Sequence, residues 1–520
     1  MSPEKTKAAK PTYKFKHDTK KYQNFIAGKW CDSSSGEVSE NRNPANVDDL
    51  IGTFPRSTKE DVDRAVKSAK KAFQWWRLVP PPHKAKMFYR LVDIMQQRKE
   101  EHAFQMTREM GKPIFETRGD VQEGIDTAMY ACGEGYRMFG HTVPSELPNK
   151  FNMTIRFPIG VCGLITPWNF PMAIPTWKIF PALMCGNTVV VKPAEITPLS
   201  VWNLLNAMLD AGFPPEVINV IFGSGSKVGN SIVEHPDTNV ISFTGSSGVG
   251  RKIGATASGM LKRVSMELGG KNCTIVMDDA NLELAVDACI WGGFGTTGQR
   301  CTASSRVIVE EGVHDKFVEM FIKAAKKLKV GYGNDPGTTM GPAVSAEQLE
   351  TDLEYVEIGR KEGCTIAFGG KRLATGEHQK GHFMQPTIFT GCKPNMRTSQ
   401  EEIFGPVVSV IKAKNLDDAI KIANGIEFGL SSAIFTQDVN VAYRAFRDLE
   451  TGLTYVNAAT IGAEAHMPFG GMKSTGNGHR EGGWEAYEFY SETKACYVDY
   501  SGTLQRAQID DPKQLLKSAK

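Results

Sequence analysis

Cys301 stands in the run Gly298-Gln299-Arg300-Cys301-Thr302-Ala303-Ser304-Ser305-Arg306, a glycine-led, polar and basic loop ahead of the apolar stretch Val307-Ile308-Val309. A free cysteine is ordinarily a small buried hydrophobe, and reactivity has to come from its surroundings. About thirty residues upstream is Glu267-Leu268-Gly269-Gly270-Lys271, a carboxylate at the mouth of a glycine turn. Further up are Thr166-Pro167-Trp168-Asn169-Phe170-Pro171 and Val191-Lys192-Pro193-Ala194-Glu195. Together these supply a thiol nucleophile, a carboxylate base, a side-chain amide donor and a nucleotide site.

With Phe243-Thr244-Gly245-Ser246 and Glu401-Glu402-Ile403-Phe404-Gly405-Pro406 added, the six segments stand in an order that resembles the NAD(P)-dependent aldehyde dehydrogenase superfamily over roughly residues 20 to 500. The combination is specific where any one segment would mean little. The resemblance implies a doubly wound Rossmann-type domain (21–139 and 159–270), an α/β catalytic domain (271–470) and a small β-arm for oligomerisation (140–158 and 485–500) of a homodimer or homotetramer. Outside the resemblance, the lysine-rich residues 1–20 read as a basic, disordered tail and residues 501–520 as a polar C-terminal tail.

The chemistry that follows is oxidation of an aldehyde to an acid. A bare aldehyde has no tetrahedral centre from which hydride can leave; thiolate addition by Cys301 creates one, and loss of hydride to the cofactor leaves a thioester. Asn169 resembles the oxyanion donor, together with the Cys301 backbone N–H. Glu267 resembles the general base that activates the hydrolytic water, and its presence favours a free acid over transfer of the acyl group to coenzyme A. Lys178 and Glu481 resemble a proton-relay pair. On the cofactor side the resemblance picks out Thr166, Trp168, Lys192, Glu195, Gly245, Ser246, Leu268, Glu402 and Phe404. A carboxylate at Glu195 accepts ribose hydroxyls and repels a 2′-phosphate, which leans toward NAD, with NADP possible. Phe170 and Trp177 suit an apolar substrate chain. The loop Ala458 to Pro468 carries Glu464 and His466 and looks somewhat like that of members acting on amino-acid-derived semialdehydes. The other readings are an acyl-transferring semialdehyde dehydrogenase and a catalytically retired homologue.

Composition sets wider bounds. A chain of 520 residues needs two or three cores. A net charge of +3 argues for neither nucleic acid nor an anionic membrane as a partner. Ten cysteines without a Cys-x-x-Cys pair suggest neither a metal site nor a disulfide framework, and so a reducing, cytoplasmic setting. Met1 to Lys21 has no apolar stretch and reads as neither a secretory signal nor, with Glu4 and Asp18, a transit peptide.

Several elements must position these residues. Helices are expected from a Ser57/Glu60 capping pattern onward, over 83–99, 100–110 and 117–138, each with apolar residues at helical spacing. Strands at 158–165, 188–191, 217–222 and 240–243 alternate with helices at 199–211 and 226–234, the pattern of a parallel sheet. A second α/β unit begins after Lys271, with a strand at 274–277, helices at 282–294 and 315–329, and strands near 407–411, 433–435 and 455–456.

Overall fold

Two seven-stranded sheets organise the chain, joined by a linker of only four residues. The computed structural model describes residues 20–509; the expected basic tail, apart from Lys20, and residues 510–520 of the C-terminal tail lie outside them. The first sheet runs in the order Arg263–Glu267, Val240–Thr244, Val161–Ile165, Thr188–Lys192, Ile218–Val220, Asn24–Ile26, Lys29–Cys31. Its first five strands are parallel. The last two join antiparallel. Val161–Ile165 and Thr188–Lys192 are buried at every position, as strands covered by helices on both faces must be. The chain moves outward from Val161–Ile165 through the next two strands, then returns to the opposite side at Val240–Thr244. That reversal opens a crevice at the carboxyl ends of these two strands.

The second sheet runs Thr365–Phe368, Thr387–Cys392, Val407–Ala413, Ser304–Glu310, Asn272–Val276, Ser431–Phe435, Leu453–Val456, parallel except for Thr365–Phe368. Leu268–Lys271 connects the end of Arg263–Glu267 to the start of Asn272–Val276. The carboxyl edge of one sheet is therefore held against the amino edge of the other, and the candidate site lies on that seam. In a third sheet, Ser491–Asp499 pairs along its whole length with Lys150–Pro158, which Thr142–Pro144 flanks on the other side. Ser491–Asp499 is an edge strand, with Tyr497 and Val498 exposed.

The first capping box lies one residue beyond the expected Ser57/Glu60: Thr58 caps helix Lys59–Trp76, and Asp61 completes the box. Ser57 instead accepts a bond from the buried Asn24 amide. The helices expected at 83–99, 100–110 and 117–138 are Pro81–Gln97, Lys99–Met110 and Ile114–Glu134, the first and last opening at prolines, which suit a helix's first turn. The helix expected at 226–234 is a π-turn, Gly225–Gly229, running into Asn230–Glu234. Residues 485–489, expected within the arm, belong to helix Gly483–Phe489.

Candidate active site

A cleft of about 290 Å³ on the seam is lined by Trp168 and Asn169, Gly245 and Ser246, Leu268, Cys301, Glu402 and Phe404, among others. The fold explains the convergence. Trp168 and Asn169 follow Val161–Ile165; Gly245 and Ser246 follow Val240–Thr244; Leu268 follows Arg263–Glu267. Cys301 precedes Ser304–Glu310, and Glu402 and Phe404 precede Val407–Ala413. Eight of the sequence-assigned residues thus meet in one cavity. Thr166 lies beneath it, buried, with its hydroxyl unpartnered.

The nucleophile loop is rigidly held. Thr296, Thr297 and Gly298 have φ values of 52°, 59° and 68°, three consecutive left-handed residues. At Gly298 a Cβ would come within 2.1 Å of the Gly405 carbonyl oxygen, so glycine is required there. Glu116 accepts the Thr296 N–H at 2.9 Å and an Arg300 N–H at 2.7 Å, and also the Thr296 hydroxyl. Asn272 donates to the carbonyls of Cys301 (2.7 Å) and Ala303 (3.0 Å), and Thr460 to that of Thr302 (2.7 Å). The Asn169 side chain makes no hydrogen bond among the described residues, so its amide is free for a ligand.

Burial dominates the electrostatics of the site. Burial pushes the Cys301 thiol up to about 12, with the carboxyls of Glu402 and Glu267 adding to the rise; the backbone N–H groups of Thr302 and Cys301 partly oppose it. Burial also raises Glu402 to about 7, against a 2.9 Å bond from the Gly270 N–H and the nearby Lys271 ammonium. Glu267 is 3% exposed and neither carboxyl oxygen has a hydrogen-bond partner. Burial, then the neighbouring Glu481 carboxyl, carry its pKa well above the ordinary carboxylate range, against Lys178 and Arg480. Its carboxyl lies against Gly470, where a Cβ would approach Oε1 to 2.6 Å, and it is not among the residues lining the Cys301 cleft.

Lys178 and Glu481 are brought together. The fully buried Lys178 ammonium donates to Ser242 Oγ at 2.8 Å and pairs with Glu481 Oε1. This pair faces Glu267 and not Cys301. Lys192 is also buried; two of its donors go to the carbonyls of Pro193 (2.8 Å) and Gly223 (3.2 Å), and burial lowers it to about 8. Glu195, half-buried, meets Arg56 at 3.5 Å.

Sequence reasoning missed Gln348, which lines the cleft and donates to the Ile403 carbonyl at 3.2 Å. It belongs to helix Ala346–Glu362, whose start is capped by Ser345 and whose end is marked by Gly363 at φ 91°. That Ser-x-x-Gln and glycine pattern was a readable signal. Glu116 and Asn272 carried no local signal, because their partners lie far along the chain.

On its other side Cys301 packs with Phe170 against Ile174, Trp177, Leu430 and Phe469. Two cations bracket Phe170: Lys112 Nζ at 3.6 Å from the ring centre and the Arg300 guanidinium at 5.5 Å. Ala463 belongs to this cluster and also to the wall of an outer cavity of about 610 Å³, where Glu123, Asp126, Glu464 and His466 stand. Burial raises Glu123 to about 8. Glu464 and His466 are exposed and 3.2 Å apart.

Residues 30–496 match the model of the aldehyde dehydrogenase family. The chain is 42% identical over 477 residues to the alpha-ketoglutaric semialdehyde dehydrogenase of Bacillus subtilis, covering 92% of this chain and 98% of that one. It is 42% identical over 479 residues to the alpha-ketoglutarate semialdehyde dehydrogenase of Haloferax volcanii, covering 92% and 99%. Among solved structures it is similar to betaine aldehyde dehydrogenase of Staphylococcus aureus in complex with NAD+, with a TM-score of 0.90 and 36% identity over 93% of this chain and 95% of that one.

Proposed function

The chain belongs to the aldehyde dehydrogenase family, and from that premise we propose that it oxidises a semialdehyde to the free acid with NAD, through a covalent bond to Cys301. The observation that carries the reading is the meeting of Cys301 and the unengaged Asn169 amide in one cleft with Glu402, Phe404 and Ser246.

The residues fit a dinucleotide. Ser246 caps helix Ser247–Gly259 with no side-chain hydrogen bond of its own, which leaves the helix's first N–H groups open to a pyrophosphate. The buried Thr166 and Thr244 hydroxyls lack partners. Lys192 and Glu195 would hold the adenosine ribose, and Glu402 and Phe404 the nicotinamide end. When bound, the cofactor supplies the hydride acceptor.

The chain's own residues do the rest. The Cys301 thiol must lose its proton, and a carboxylate whose pKa is raised, Glu267, narrows the gap to a thiol near 12. Sulfur adds to the aldehyde carbon; the oxygen's developing charge falls to the Asn169 amide and the Cys301 N–H. After oxidation, Glu267 takes a proton from the water that attacks the thioester. Lys178 and Glu481 carry that proton onward and keep the buried carboxyl in electrostatic contact with a cation.

A carboxylate-bearing semialdehyde suits the names of the two relatives. A second reading, a cationic aldehyde, is favoured by the carboxyls of Glu123, Asp126 and Glu464 around the outer cavity. The edge strand Ser491–Asp499 supports a homo-oligomer, because an exposed edge of this length needs covering. Residues 21–139 with 159–270, and 271–470, act as cofactor and catalytic units in this reading, and the setting is cytoplasmic.

The test is NADH formation with alkyl, aromatic, amino- and carboxylate-bearing aldehydes, with the product identified as acid or, with coenzyme A added, as thioester. The reading expects acid from a carboxylate semialdehyde. Acyl-coenzyme A as the product would overturn the hydrolytic assignment, and preference for a cationic aldehyde would transfer specificity to the acidic outer cavity.

A further inference from the structure

Two cysteines that no sequence spacing connects meet inside the second sheet. Cys364 leads into strand Thr365–Phe368 and Cys392 ends strand Thr387–Cys392, and these strands pair antiparallel with Thr365 opposite Thr390. The register of Thr387–Cys392 against Val407–Ala413 shifts just before Cys392, and Cys364 follows the left-handed Gly363 that ends helix Ala346–Glu362. The Cys392 thiol donates to Cys364 Sγ across 3.4 Å. Met396 Sδ is a further 3.4 Å from Cys364 Sγ, and Thr398 Oγ1 is 3.7 Å away. Both cysteines are reduced and nearly buried, at 7% and 6% exposure.

We propose that Cys364 and Cys392 form a peroxide-sensitive dithiol site that closes to an intramolecular disulfide. The sulfurs need approach by only about 1.3 Å to reach a disulfide bond length, and the left-handed turn before Cys364 and the register shift before Cys392 are where the backbone can supply such a movement. The hydrogen bond between the two thiols favours the Cys364 thiolate and disfavours that of Cys392, which burial raises further. Cys364 is the acceptor of the Cys392 thiol's hydrogen bond, and so the sulfur assigned to attack.

The step balances with a hydroperoxide as oxidant. The Cys364 thiolate attacks one peroxide oxygen, the O–O bond breaks, and the departing hydroxide takes up a proton, leaving a sulfenic acid. Cys392 sulfur then attacks Cys364 sulfur, its proton leaves with the sulfenic hydroxyl as water, and the S–S bond forms. Two thiols and one hydrogen peroxide give one disulfide and two waters. Neither aldehyde nor nucleotide takes part, so the site stands or falls independently of the activity proposed above.

The site also touches the catalytic frame. The Glu362 carboxylate, two residues before Cys364, accepts the N–H groups of Arg397 (2.9 Å) and Thr398 (3.4 Å) at the start of helix Arg397–Gln400, which leads directly to Glu402.

The experiment treats the full-length protein with equimolar hydrogen peroxide at neutral pH, blocks remaining thiols with iodoacetamide, and maps tryptic peptides without reduction. The expected product is a cross-link between peptides 362–371 and 381–397, two mass units lighter than their sum, released by dithiothreitol and absent from Cys364→Ser. Cys392→Ser, tested in parallel, should stop at a Cys364 sulfenic acid that dimedone traps. Recovery of both cysteines as alkylated thiols from the wild type, or a cross-link of either to a different cysteine, would overturn the proposal.

Discussion

Replacing Glu267 by Gln tests the electrostatics and the chemistry of the site together. The change is nearly isosteric, and neither oxygen it alters has a hydrogen bond to lose. Removing a general base typically costs 10²–10⁴ in rate, about 3–5 kcal/mol of barrier, and kcat should fall by that factor while Cys301 remains intact. Stability should move the other way with pH. The folded pKa of Glu267 lies well above its ordinary 4.5, so in the unfolded chain the group ionises first as pH rises. Its stabilising effect is complete below that ordinary value and is lost as pH climbs toward the folded pKa, by up to about 1.4 kcal/mol per pH unit. Glutamine carries no such penalty. Melting curves of both proteins from pH 4 to pH 8 should therefore diverge, with Glu267→Gln gaining on the wild type as pH rises. Parallel curves would refute the buried, raised carboxyl, and unchanged kcat would refute its role as base.

Four further outcomes are expected. Asn169→Ala should lower kcat by about 10²–10³ with the same Tm, since its amide has no partner in the free protein; an unchanged kcat would remove the oxyanion role. Alkylation of Cys301 by iodoacetamide in the cofactor-free protein should still be accelerating at pH 10, because the thiol lies near 12; a plateau near pH 7 would contradict the cause assigned to it. Gly298→Ala places a Cβ 2.1 Å from the Gly405 oxygen at a φ of 68° and should cost roughly 2–4 kcal/mol, read as a lowered Tm together with lost Cys301 reactivity. Glu195→Ala should raise kcat/KM for NADP relative to NAD by about tenfold or more, as removal of a carboxylate facing a 2′-phosphate predicts, and an unmoved ratio would separate Glu195 from the ribose.

Much of this fold was legible because its strands and helices carry strong local patterns. Helix Leu282–Phe294 matches its expected bounds, and the buried runs Val161–Ile165 and Thr188–Lys192 are the strands their composition announces. Helices Leu416–Asn424 and Val439–Asp448 escaped notice although Asn415 and Asp438 cap them, because a short helix offers few turns of periodicity to read. At the site, residue types pointed to the chemistry, while the scaffold behind them did not. Glu116 reaches Thr296 across 180 residues and Thr460 reaches Thr302 across 158, contacts that only the folded chain creates. The same holds for direction: nothing local indicates that the Glu267 carboxyl faces Gly470, or that Lys178 and Glu481, 303 residues apart, form an ion pair. The dithiol of Cys364 and Cys392 is of this kind too, two unremarkable cysteines 28 residues apart until a strand register joins them.

The central claim is a covalent acyl bond on Cys301, which an acid quench during turnover should trap. Acid-quenched protein from a reaction with NAD and a carboxylate semialdehyde, analysed by intact mass and peptide mapping, should carry one acyl group on the peptide containing Cys301, with none formed in Cys301→Ala. An acyl group on another residue, or NADH formed by Cys301→Ala at the wild-type rate, would contradict the account.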